Sequence, residues 1–111
     1  MNTNKLIIEI DKALVEADKY IVKYYNSDEK PMEGTKKTLR LLKNEVLSRP
    51  DNINERVLRA MRDTGMSSFK EYENTPHEEA ILAVMEVLYN EIPHYKNLEP
   101  LRMDFGKGDP I

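Results

Sequence analysis

The sequence predicts an all-α fold: a bundle of four to five helices with an extended C-terminal tail packed on it. Three observations lead there. Apolar residues recur at three- and four-residue spacing in four separate segments, no stretch of useful length alternates as a strand would, and capping or breaking residues punctuate the segments. With 111 residues, of which 40% are hydrophobic and 33% charged, the chain has enough apolar material for one soluble domain over 1–111.

The first helix is expected over about Thr3 to Tyr25. Ile7, Ile10, Leu14, Ala17, Ile21 and Tyr24 form its core stripe, widened by Leu6, Ala13 and Tyr20, with Glu9, Lys12, Glu16, Lys19 and Lys23 opposite. A second stripe of Ile8, Val15 and Val22 repeats every seven residues. A helix buried on one face does not need it. Cover by the tail is the simplest account, and a homodimer seam or partner site are the others.

Asn26 to Pro31 reads as a loop, and the second helix as 35–48, with Leu39, Leu42 and Val46 inward and Pro50 as its stop. The third helix is expected over 53–64. Asn52 and Glu55 form a capping box, Ile53, Val57, Leu58 and Met61 face inward, and Gly65 takes the left-handed position after the last turn. Residues 66–74 are less regular, with Phe69 and Tyr72 able to pin a short helical turn.

The fourth helix is expected over 76–92 and is apolar around most of its circumference, which suits a central place in the bundle. Its start, TPHEE, has the look of a zinc-protease helix. The second histidine that H-E-x-x-H requires is replaced by Ile81, so two ligands one turn apart are missing. Thr75 as N-cap, Pro76 at the first helical position and Glu78 three residues after the cap describe a capping box instead, leaving His77 as an exposed first-turn residue. Glu91 and His94 also have carboxylate–histidine spacing, but Pro93 interrupts it and no second copy exists. No metal site is expected. The tail, 93–111, carries Tyr95, Leu98, Leu101, Met103 and Phe105, too many large apolar groups for a disordered end.

Several chemistries are excluded outright. There is no cysteine, hence no disulfide, thiolate metal site or cysteine nucleophile. Phosphate-binding glycine motifs are absent, Gly106-Lys107-Gly108 being too short and following no strand, and none of the four serines lies in G-x-S-x-G. We therefore expect neither catalytic residues nor a cofactor, and no enzyme. A small enzyme or ligand-binding domain would need a polar pocket that the sequence does not advertise. The opening residues do not read as a signal peptide, and no apolar run approaches the ~18 residues of a membrane span. The expected location is the cytoplasm.

The net charge of −3 conceals an asymmetry: residues 31–66 carry eight basic and five acidic groups, and residues 67–111 four basic and nine acidic. Two partner surfaces follow. Glu71, Tyr72, Glu73, Glu78, Glu79 and Glu86 would suit a basic protein, the carboxylates steering association and the aromatic anchoring it. Lys36, Lys37, Arg40, Lys43, Arg56, Arg59 and Arg62 would suit phosphates, as in a nucleic-acid-associated regulator. The second is the alternative reading, because the overall charge is acidic and no aromatic lies among those cations to stack bases.

The stretch EIPHYKNLEPLRMDFGKGDPI, about a fifth of the 111 residues, resembles the ends of small bacterial proteins encoded beside polymorphic toxins, including immunity proteins of contact-dependent inhibition systems. It defines no motif and transfers no functional residue. The resemblance implies a cytoplasmic inhibitor that binds one cognate toxin domain, often a nuclease, and blocks it sterically and electrostatically. A small, cofactor-free helical domain with an acidic second half agrees with that.

Overall fold

The computed structural model describes residues 2–24 and 33–101, without the side chains of 20–24 and 71. The expectations for Tyr20, Ile21, Val22, Tyr24 and Tyr25, for the 26–31 loop, for Met103 and Phe105 and for Gly106-Lys107-Gly108 lie outside what it describes. Four helices, α1 (Thr3–Tyr24), α2 (Glu33–Ser48), α3 (Glu55–Glu71) and α4 (Pro76–Glu91), are followed by a short 3-10 turn, η1 (Tyr95–Asn97), and no strand occurs among the described residues. The fold is the all-α bundle that the periodicity predicts.

The helices form a ring. α1 packs on α2 and α4, and α3 packs on α2 and α4. Cross-helix pairs reveal antiparallel neighbours: Asp11 meets Lys43 and Asp18 meets Lys36 between α1 and α2, so the partner recedes as the chain advances. Between α3 and α4 the same holds for Arg62 with Tyr89 and Gly65 with Met85. The core is continuous across the ring and includes Leu6, Ile10 and Ala13 of α1, Leu39, Leu42 and Val46 of α2, Val57, Leu58 and Met61 of α3, and Ile81, Val84, Met85 and Leu88 of α4. Ile7 and Leu14, expected at the centre of the α1 stripe, are only partly buried at its edge. Each apolar side chain fully removed from water contributes about 1.5–3 kcal/mol, so this layer is the main source of stability. None of the described helices is long and apolar enough to cross a membrane.

Three boundaries differ from expectation. α2 starts two residues earlier, at Glu33, with Gly34 inside the first turn, where its carbonyl accepts from Thr38 Oγ1 at 3.1 Å. α3 is capped by Asn54, not Asn52: Asn54 Oδ1 accepts from Arg56 N at 2.8 Å, and Asn54 N donates to Glu45 Oε1 at 2.7 Å. Both asparagines are competent caps by composition, and the buried Glu45 carboxylate of α2 decides between them. α3 also runs through Gly65 to Glu71 rather than stopping at 64. The glycine serves a close helix approach here. A Cβ on residue 65 would lie 2.0 Å from Met85 Sδ, so α4's methionine occupies the space a side chain would need. The left-handed residue is Asn74 instead, at φ 63°, in the turn between α3 and α4.

Candidate binding surface and end cleft

The α3–α4 turn places the acidic residues. Thr75 Oγ1 accepts from Glu78 N at 3.2 Å, and Pro76 opens the helix, as the sequence predicts. Glu78 Oε1 reaches back to Asn74 N at 3.1 Å, one residue upstream of the reciprocal capping-box partner. Thr75 N instead donates to Tyr72 O at 3.2 Å, and its hydroxyl also donates to that carbonyl. Glu78 therefore belongs to the turn. Glu73, Glu79 and Glu86 project into solvent, Tyr72 is half-buried, and the Glu71 side chain lies outside the described residues.

His77 is not exposed. Its residue accessibility is 0%, and its ring meets Tyr72 edge-on with centroids 5.1 Å apart. Burial pushes its pKa below the ordinary imidazole value, and the Glu16 carboxylate of α1 works in the opposite direction. A lone histidine at a helix start carries no sequence signal of burial. α1 packs on α4 from a distant part of the chain, and Tyr72, in the turn just before the helix, meets the ring edge-on.

A signal missed in the sequence lies beside the carboxylates. Met66 and Phe69 of α3 and Leu82 of α4 are 43%, 45% and 37% exposed. The register set by Gly65 against Met85 and Arg62 against Tyr89 brings them to the same outer edge of the α3–α4 interface. Glu79 and Glu86 lie one turn to either side of Leu82, on the same strip of α4. The result is an apolar edge bordered by carboxylates. Phe69 and Met66 lie beyond the expected end of α3, which is why that edge was not foreseen.

The basic residues do not gather on one face. Lys36 and Lys43 turn toward α1, at 2.7 Å from Asp18 and 2.8 Å from Asp11, and Lys36 also lies 3.5 Å from Glu33. Arg49 pairs with the buried Glu45. Arg59 Nε donates to Glu99 O at 3.0 Å, and Leu101 N returns a bond to Arg59 O at 3.0 Å. Arg62 donates to Leu98 O at 3.3 Å and to Tyr89 Oη at 2.7 Å, with its guanidinium 5.7 Å from the Tyr95 ring centre and 5.9 Å from that of Tyr89. Lys37 and Arg40 are exposed on α2, and Arg56 is half-buried on α3. Arg59 and Arg62 thus hold down the C-terminal segment.

That segment is docked as far as Leu101, against α3 and α4. Tyr95 is fully buried and packs on Tyr89 at 5.2 Å between ring centres. Burial, with Tyr89 adding to it, raises the Tyr95 phenol above its ordinary range against the opposing pull of Arg62. The tail was expected to cover the second stripe of α1, but its described part does not: Ile8 and Val15 are 53% and 55% exposed. Leu47 of α2, also exposed, sits near the same end of that face, one turn beyond Lys43.

At the opposite end of α3 from the acidic edge lies a half-open cleft of about 650 Å³, formed by residues 49–55, Leu58 and residues 91–94. Glu91 and His94, the pair with ligand-like spacing, both line it. No group of three or more histidine or carboxylate residues among the described residues is placed to share an ion. No family model matches this chain, and neither does any curated protein or solved structure.

Proposed function

We propose that the protein is a protein-binding inhibitor of the immunity type, which neutralises a cognate toxin domain, such as a nuclease, by covering a basic surface on it. The contact surface is the outer α3–α4 edge: Glu79 and Glu86, with Glu73 and Tyr72 at the turn and Met66, Phe69 and Leu82 as apolar anchors. The observation that carries this reading is the exposure of three large apolar side chains next to Glu79 and Glu86, exposed carboxylates with no ion pair among the described residues. Association surfaces combine these features, an apolar centre that supplies affinity and charges that set on-rate and partner choice. Glu71 belongs to the same sequence cluster, and Glu78 contributes by holding the turn.

The test begins with capture from native lysate by the full chain, followed by purification of the captured protein. The proposal expects a basic partner whose activity the chain inhibits. Glu79→Lys with Glu86→Lys should slow association with it by tenfold or more, about 1.4 kcal/mol, and Phe69→Ala should speed dissociation. Unchanged rates in both variants, with the fold intact, would remove this surface. A bound species that proves to be nucleic acid, lost as salt rises, would return attention to Arg40, Lys37 and Arg56.

A further inference from the structure

The end cleft is built differently from the acidic edge. Leu58, buried in the core, and Ile92, half-buried, contribute an apolar lining, and Asp51, Glu55 and Glu91 stand around it. Arg49, the one Lys or Arg in the lining among the described residues, is committed to the buried Glu45. None of the three carboxylates has an ion-pair partner within 4.0 Å among the described residues. Glu91 is the last residue of α4. A carboxylate there faces the negative end of the helix dipole, an arrangement that weakens the helix rather than supporting it. Its charge adds to the negative potential at the cleft instead of cancelling a positive one.

We infer that this cleft binds an organic cation: a guanidinium or ammonium head on a short alkyl stem, the stem against Leu58 and Ile92 and the head among Asp51, Glu55 and Glu91. The volume lies within the range of about 300–1,000 Å³ usual for small-ligand sites and exceeds what a single inorganic ion needs. Low-dielectric walls beside like charges focus the field on a cation and raise its local concentration. The inference does not rest on the proposed inhibitor function, since the cleft and the acidic edge share no residue.

The experiment is an amide-resolved NMR titration of the full chain with n-butylguanidinium, with n-butylurea as the neutral isostere and a blocked glycyl-arginyl-glycine peptide as a second source of the same head group. Saturable shifts confined to residues 49–58 and 91–94 are expected with the cation and not with the urea. Asp51→Asn combined with Glu91→Gln should weaken binding about tenfold, equal to about 1.4 kcal/mol, while the thermal midpoint holds or rises because Glu91→Gln removes an unfavourable helix-end charge. Tighter binding of the peptide would assign the site to a partner's arginine, and tighter binding of butylguanidinium to a free small cation. Glu79→Lys with Glu86→Lys should leave binding unchanged. The inference fails if the urea binds equally, if the carboxamide variant binds as the parent does, or if no saturable shift appears at millimolar cation.

Discussion

The two helix pairs of this bundle are joined by different chemistry. α1 and α2 are tied across their outer face by Asp11–Lys43 and Asp18–Lys36, with the Asp11, Lys43 and Asp18 side chains between a third and two-thirds exposed. α3 and α4 meet through a glycine, a methionine and an arginine–tyrosine cluster, with no ion pair between them among the described residues. Exposed ion pairs contribute about 0–1 kcal/mol each and are screened by salt, whereas close packing is lost abruptly when its shape is changed. Both pairs share the apolar core, so the contrast lies in what is added to it: a salt-dependent contribution between α1 and α2 and a steric one between α3 and α4.

The sharpest way to break this contrast is at Gly65 and Met85. Met85→Ala should cost about 2–5 kcal/mol by leaving a cavity. Gly65→Ala should cost up to about 2 kcal/mol in the parent, the overpacking penalty of about 1–3 kcal/mol less the roughly 1 kcal/mol by which alanine favours helix, with the flexible Met85 thioether moving aside. In the Met85→Ala background the same change should become stabilising, because the methyl enters vacated space and alanine favours helix by about 1 kcal/mol over glycine. Additive effects in denaturant titrations would show that Met85 does not hold that space.

Arg62→Ala should cost about 1–3 kcal/mol, since it removes two charge-assisted hydrogen bonds and the guanidinium packed over Tyr95 and Tyr89. Hydrogen exchange should report that loss first at residues 95–101. Equal protection of that segment in the variant would mean that Tyr95 and the Arg59 hydrogen bonds hold the docking without Arg62.

His77 predicts a pH dependence of defined sign. Its pKa is lowered in the folded state, so below about 6.5, the ordinary imidazole value, the unfolded chain takes up a proton that the native chain resists. Stability should fall as pH drops through that range and down to the lowered native pKa. Glu16 opposes the shift and Tyr72 packs on the ring, so His77→Phe tests burial directly: it should flatten the slope. A slope unchanged in that variant would assign the dependence to other groups.

The Tyr95 hydroxyl has no hydrogen-bond partner among the described residues. Tyr95→Phe should therefore be neutral or stabilising by up to about 1 kcal/mol. Destabilisation in thermal melts would reveal a partner for that hydroxyl. Lys43→Ala should have the smallest effect, under about 1 kcal/mol, and it should vanish in high salt. A loss that persists at high salt would place the contribution in the packing of the lysine stem.

The four helices, the Thr75 cap and the inward positions of α2 were legible because each depends on residues within a turn or two of one another. Gly65 was misread for the same reason: a glycine after an apolar run looks like a helix stop until a methionine twenty residues later is seen beside it. The apolar edge of the proposed binding surface went with it, since Phe69 and Met66 were assigned to an irregular segment. The acidic residues were legible as a cluster, but their separation into Glu78 in the turn and Glu79 and Glu86 in solvent was not.

An all-α chain with four amphipathic or apolar helices and an acidic second half can be read directly from the residues. Helical periodicity, caps and charge are local properties of the chain. Tertiary contacts carry α3 past its glycine, bury His77, fasten the C-terminal segment through Arg59 and Arg62, and set three carboxylates from two chain segments around one cleft. Each of those depends on which distant groups fill the space around a residue, and burial, packing and electrostatic pairing act through space rather than along the chain.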